Sequence, residues 1–292
     1  MLSINDFLDN VLVDFEQYVR SGNSLCKLHD AHFDAGRIPD YSDKNIQQLY
    51  LLRYAYAYAF EYKYMYKDLF STFRPSDEMS VTSVGCGSFL DYWALTRVVR
   101  DDCSIYYRGI DQIKWYYRFP LRKFDNGFFY QENAVDFFTD DKQPSDIYIF
   151  PKSISEFSLS EISQIVNSFD LISQKKDRVF FLFSLRKDRG SLNRDLQRTN
   201  MIYNGMISNG FRCDEKAGSC WCFEEEIQGE KIRIVDSDFK HPGDVVDCLK
   251  ELYTNCQTFE SCKEAEECKA RLGRWPILNC EYAAWQIFSF EK

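Results

Sequence analysis

The stretch Val81-Thr-Ser-Val-Gly-Cys-Gly-Ser-Phe-Leu-Asp91 constrains the fold of this chain more than any other. A short β-prone run enters a pair of glycines, and an apolar-periodic segment follows at once. The pattern predicts a strand, a tight turn and a helix in direct succession. Gly85 and Gly87 let the backbone approach a ligand with no Cβ in the way, and the start of the helix offers free N–H groups. Taken alone, the same turn also reads as an ordinary strand-to-helix connection.

The sequence on either side supplies the context. Helix is expected over Phe89 to Arg100, Ile113 to Phe124, Leu159 to Ser173 and Leu192 to Ser208. Strands are expected at Ile105 to Ile110, Phe128 to Tyr130, Ile147 to Phe150, Val179 to Phe183 and Tyr282 to Phe290, with extended segments near 211–225 and 231–235. The Val179 run is almost wholly apolar, as a strand covered on both faces should be. Alternating strands and helices predict an α/β fold, a mostly parallel sheet with helices on both faces. Ahead of it, residues 4–19 form an amphipathic helix, 20–43 a loop and 44–72 a second long helix that stops at the turn Arg74-Pro-Ser-Asp77. This divides the chain into an N-terminal helical region, 1–75, and a main domain, 76–292, carrying a charged insertion around 240–275.

Composition narrows the classes of function. Of 292 residues, 45% are hydrophobic and 17% aromatic, enough for a large core and too many for a disordered chain. A net charge of −9 repels phosphate backbones, so DNA is disfavoured as a partner while a local strip for RNA stays open. No apolar stretch is long enough to span a bilayer. Asp6, Asp9 and Asp14 interrupt the N-terminal apolar residues, and the chain reads as cytoplasmic. The 11 cysteines are then expected to be free thiols. Cys26, His29 and His32 lack a matching distant pair, and Cys220, Cys222, Cys256, Cys262, Cys268 and Cys280 lack zinc-site spacing, so no metal is expected.

Two further strand ends strengthen the reading of the glycine turn. Asp111 ends the second strand, where a carboxylate can accept both ribose hydroxyls of a nucleoside. Gln131-Glu132-Asn133-Ala134 follows the third, where a polar side chain can meet a base. A dinucleotide fingerprint needs a third Gly or Ala at Leu90, and a phosphate-binding P-loop needs Gly-Lys-Ser/Thr; neither is present. A glycine pair with a distal ribose carboxylate and no third glycine resembles the class I S-adenosyl-L-methionine (SAM) dependent methyltransferases over roughly residues 79–225 and the last strand.

That resemblance implies a Rossmann-like seven-stranded mostly parallel sheet with its last strand antiparallel at the edge, an N-terminal helical cover, SAM as cofactor and methyl transfer as the activity. The cofactor-binding residues it implies are Gly85, Cys86, Gly87, Asp111, Asn133, Ala134 and Pro151. Ser83 stands where the family often has an acid, and Asp91 is the expected substitute. In the cover helix, Tyr50, Arg53 and Tyr54 share a face, and Arg53 is expected to pair with the SAM carboxylate or with Asp91. The catalytic candidates are Glu156, as a base, and Ser153, both just beyond the fourth strand. The base-methylation motif Asn/Asp-Pro-Pro-aromatic and the Pro-Cys nucleophile are both missing, which favours a small molecule or a protein over DNA as the unidentified acceptor. The competing class is a catalytically silent SAM- or nucleoside-binding module; a nicotinamide oxidoreductase is a third.

Overall fold

The computed structural model describes residues 3–21, 28, 39–121, 126–140, 143–186, 189–218, 221–222, 226–227, 230–231, 276–277 and 283–292. The Cys26/His29/His32 run, the insertion around 240–275 and Cys220, Cys256, Cys262, Cys268 and Cys280 lie outside them.

Two helices open the chain. In α1 (Ile4–Arg20) a capping box starts the helix: the Asp6 N–H donates to Ser3 Oγ, and the Ser3 N–H donates back to the Asp6 carboxylate. Its stripe of Ile4, Phe7, Leu8, Val11, Leu12 and Phe15 is buried. In α2 (Lys44–Asp68) the Asp43 carboxylate accepts from the backbone N–H groups of Asn45 and Ile46. This helix is buried on nearly every face, Gln47, Gln48 and Glu61 included, because it lies between other elements and not on the surface. A π-type turn, Leu69–Phe73, ends it.

The sheet follows: β1 (Glu78–Val84), α3 (Leu90–Val98), β2 (Ser104–Ile110), β3 (Asn126–Tyr130), α4 (Ala134–Asp140), β4 (Ile147–Pro151), α5 (Leu159–Asn167), α6 (Phe169–Lys175), β5 (Arg178–Ser184), α7 (Arg189–Ser208), β6 (Trp221–Cys222), the paired β7 (Glu226–Ile227) and β8 (Glu230–Lys231), and β9 (Ala284–Glu291). The main sheet has the order β3-β2-β1-β4-β5-β9-β6. Strands β1 to β5 are parallel, and β9 is antiparallel to both β5 and the two-residue β6. The last strand therefore lies one position in from the edge where the sequence reading put it. The order reverses at β1, whose neighbours are β2 and β4. In such sheets the crevice beyond the carboxyl ends of the strands at the reversal is the natural ligand site.

Side chains alternate across the pleat and build two cores. Val81, Ile105, Tyr107, Ile149, Leu182 and Ile287 pack with α1, α2 and α3. Tyr148, Phe150, Phe181, Phe183, Phe288 and Phe290 pack with α4 to α7 on the opposite face. The N-terminal helices thus share one core with the sheet.

Three expectations change. Residues 113–121 are not helical, because their backbone groups bond elsewhere: the Tyr116 N–H donates to Gln47 Oε1, the Phe119 N–H to the Ser88 carbonyl, and Gln47 Nε2 to the Lys114 carbonyl. The single helix expected over 159–173 is two, α5 and α6, meeting at Ser168. A helix, α4, follows Asn133 directly.

Candidate functional site

The turn after β1 takes the shape its glycines allow. Gly85 has φ +70° and Gly87 φ +52°, the left-handed region that disfavours side chains. A Cβ on Gly85 would sit 2.5 Å from Ser153 Cβ, so the glycine also lets β4 close against β1. The backbone N–H groups of Gly85 and Cys86 both donate to the Ile110 carbonyl, which ties the turn to the end of β2.

Asp111 continues that end. One carboxylate oxygen accepts from the Gly87 N–H at 2.9 Å and the other from the Ile113 N–H at 2.8 Å. A carboxylate has about four acceptor positions, and the Trp115 indole is a further donor acting on this one. Burial pushes Asp111 above the usual carboxylate range, against the pull of the two N–H groups, of Arg118 and of the Trp115 indole.

A cavity of about 690 Å³ opens on this turn, within the range of about 300–1,000 Å³ usual for small-molecule sites. Its floor is the row of strand ends: Gly85, Cys86 and Gly87 after β1, Asp111 after β2, Pro151 to Ser153 and Glu156 after β4, and Arg186 after β5. Its wall is one face of α2. Tyr50, Tyr54, Tyr58 and Tyr62 recur every fourth residue and so stack along that face, with successive ring centroids 5.4, 5.3 and 6.2 Å apart. Tyr41 and Trp115 join the cluster at 5.3 and 5.6 Å from Tyr50. Burial holds the phenols of Tyr41, Tyr50, Tyr58 and Tyr62 well above their ordinary value, so they are neutral donors. Pro276, Ile277 and Ala283 complete the lining, and the Ile277 N–H donates to the Arg53 carbonyl.

Two charged groups are locked together at the far end. Lys152 has a left-handed backbone, φ +60°. Its Nζ lies 2.9 Å from the Glu61 carboxylate, with both side chains buried, and also donates to the Leu185 carbonyl. The Ser184 hydroxyl donates to Glu61 at 2.6 Å. Burial raises the Glu61 carboxyl, while Lys152 and Ser184 oppose the rise. Glu156 ends a 3₁₀ turn, Ile154–Glu156. Its side chain lines the cavity and remains accessible to solvent through it. Burial pushes its carboxyl up to about 7, Arg186 pulls it down and Asp111 adds to the rise.

Of the residues singled out from the sequence, Gly85, Cys86, Gly87, Arg53, Asp111, Pro151, Ser153 and Glu156 line this one cavity. Asp91, Asn133 and Ala134 do not. Asp91 is fully buried and accepts from the Tyr107 hydroxyl at 2.8 Å, with burial pushing it up to about 6. Asn133 accepts from the Val135 N–H at 2.8 Å and so caps α4, whose first residue Ala134 packs in the core. Ser153 reaches the cavity, but its hydroxyl donates to the Val84 carbonyl. Lys152, from the same fourth-strand segment, lines the cavity as well, together with Glu61, Arg186 and the tyrosines beyond Tyr54, which were not singled out from the sequence. The four-residue repeat of tyrosine in α2 was the available signal for the last of these.

No protein-family model and no curated protein matches the sequence. Among solved structures, the chain is similar to a cyclopropane-fatty-acyl-phospholipid synthase-like protein from Lactobacillus casei, at 12% identity and TM-score 0.41, covering 80% of this chain and 91% of that one. It is similar to a SAM-dependent methyltransferase from Geobacter sulfurreducens in complex with S-adenosyl-L-homocysteine, at 13% identity and TM-score 0.37, covering 78% and 90%. It is also similar to a SAM-dependent methyltransferase from Archaeoglobus fulgidus, at 13% identity and TM-score 0.38, covering 79% and 94%. Five parallel strands whose order reverses at β1, a glycine turn at the reversal and an antiparallel β9 make this a Rossmann-like α/β sheet.

Proposed function

We propose that this chain is a SAM-dependent methyltransferase acting on a small molecule or a protein. The observation that carries the reading is Asp111. Its carboxylate is fixed by two backbone N–H groups, lies beside the Trp115 indole, and shares one cavity with the glycine turn and Glu156. A nucleoside with two adjacent hydroxyls matches such a carboxylate. Gly85, Cys86 and Gly87 carry the backbone against which the cofactor lies, Pro151 borders the reacting end, and Arg53 offers its guanidinium to the cofactor carboxylate. The tyrosine face of α2 serves as the cover and excludes water from the transfer.

When bound, SAM supplies an electrophilic methyl group. The residues of this chain align the acceptor and take its proton. Glu156 is the base, because a carboxyl near 7 is half ionised at neutral pH and stands in the cavity. Ser153 is a positioning residue, since its hydroxyl is engaged by Val84. Asp91 supports the turn from the core, where it meets Ser83 and Tyr107, and Asn133 caps α4.

Calorimetric titration with SAM tests the reading. Saturable binding is expected, and Asp111→Asn should weaken it about tenfold to a hundredfold, since a hydrogen bond to a charged group contributes about 1.5–3 kcal/mol. Absence of binding by the wild-type chain rejects the reading.

A further inference from the structure

We propose that the methyl acceptor is a small carboxylic acid whose carboxylate is held by Arg186 and whose amine or hydroxyl nucleophile faces Glu156. The proposal rests on the methyl-transfer reading of the same cavity and adds the substrate class.

The cavity treats its charged groups unequally. Glu61 is matched by Lys152, and Asp111 by two N–H groups. Arg186 uses its backbone N–H, which donates to Asp195 at 3.0 Å. Among the described residues, its guanidinium forms no hydrogen bond and no ion pair, and neither does the Glu156 carboxyl. Both line the cavity. The carboxylates of Asp195 and Glu156 act on the Arg186 charge through space, but neither takes a hydrogen bond from its guanidinium, whose planar fork matches a carboxylate in two-point contact.

The sheet order separates this group from the cofactor end. Asp111 follows β2, the glycine turn β1, Glu156 β4 and Arg186 β5, so Arg186 stands three strands beyond Asp111. At a strand spacing of about 4.8 Å, that is on the order of 14 Å along the carboxyl edge. A nucleoside on Asp111 with its reacting carbon over the β1–β4 gap leaves Glu156 and Arg186 to the second substrate. Its body would lie against Tyr41, Tyr54 and Tyr58.

The step balances with these groups. A lone pair on the acceptor nitrogen or oxygen forms the new bond to the methyl carbon. The carbon–sulfur bond breaks with its electron pair left on sulfur, giving the neutral thioether. The proton of the acceptor N–H or O–H passes to the Glu156 carboxylate.

The test uses the full-length protein, methyl-labelled SAM and a whole-cell extract as the source of acceptor, in two arms. One extract is untreated, and in the other the carboxyl groups have been amidated. Label is expected in an acid-soluble, anion-exchanger-retained product from the untreated extract and not from the amidated one. With that product's precursor, Arg186→Gln should raise KM about tenfold to a hundredfold while the dissociation constant for SAM alone stays within about twofold. Label in a macromolecule, or equal label from the amidated extract, overturns the proposal and leaves the methyltransferase reading standing. The proposal also falls if Arg186→Gln weakens SAM binding by the same factor, since Arg186 would then hold the cofactor. If SAM does not bind at all in the parallel titration, or binds with no label transferred, the underlying reading fails and takes the substrate class with it.

Discussion

Glu156, the proposed base, can act only while ionised, and its surroundings set the pH at which that happens. Burial and Asp111 raise it, Arg186 lowers it, and the neutral phenols of Tyr41, Tyr50 and Tyr58 face the same space. With the carboxyl at about 7, transfer should lose about tenfold in rate per pH unit well below that value. Glu156→Gln should slow transfer by about 10²–10⁴-fold and abolish this acidic limb. A limb that survives in the variant assigns the ionisation to another group. The same shift affects stability. Folding raises the carboxyl from its ordinary 4.5, so the folded chain holds an extra proton between 4.5 and about 7. The associated stabilisation is complete below the lower value and disappears as pH rises through the upper one. Thermal melts should therefore show Glu156→Gln gaining on the wild type above pH 7 and not at pH 4. At this scale the sequence was readable where a residue's neighbours in the chain determine its task. Gly85 and Asp111 belong to turns that local chemistry specifies. Glu61 was unreadable because its partners, Lys152 and Ser184, are distant in sequence, and Ser184 is 123 residues away. Asp91 looked like a ligand-facing acid by position, but its helix turns it towards Tyr107 in the core.

Helix α2 is tied to the rest of the fold at both ends of the cavity, and that attachment is testable. Near its start, Gln47 bonds to the Tyr41 and Lys114 carbonyls, and Gln48 to the Tyr117 hydroxyl. Near its end, Glu61 meets Lys152 and Ser184. Breaking a buried ion pair by removing one partner leaves an uncompensated charge, which costs about 3–5 kcal/mol, whereas replacing both by apolar residues of similar volume is often neutral. Lys152→Met should lose stability of that order in denaturant unfolding, and the double variant Glu61→Leu with Lys152→Met should recover most of it. A double variant as weak as the single one would mean that Lys152 acts through its packing or its bond to Leu185. The elements themselves divide in the same way. The parallel strands were legible because a strand covered on both faces must be apolar, as Val179 to Phe183 are. The segment 113–121 was misread as helix because its aromatic spacing mimics one. Its backbone groups instead serve α2 and Ser88, which only the tertiary arrangement reveals.

Across the whole molecule, the cavity is where otherwise separate parts meet. The ends of β1, β2, β4 and β5, the face of α2 and the segment around Pro276 all contribute to its lining. A ligand seated there contacts both the sheet and its N-terminal helices, which already share a core. Loss of that core on unfolding destroys the site, so the ligand binds the folded chain alone and stabilises it by mass action. At a concentration about 100 times its dissociation constant, SAM should add about 2.7 kcal/mol. For chains of about 150–250 residues, 1 kcal/mol moves the melting temperature by roughly 2–4 °C, so a rise of about 5–10 °C is expected for this somewhat longer chain. The rise should be a single cooperative shift, seen equally by circular dichroism and by tryptophan fluorescence. Trp93 and Trp115 lie on the α2 side of the sheet, whereas circular dichroism reports the helices of both faces. A shift in fluorescence alone would separate the N-terminal helices from the sheet and support the two-part division at residue 75. A coincident shift would establish that helices and sheet unfold as one body around the cofactor.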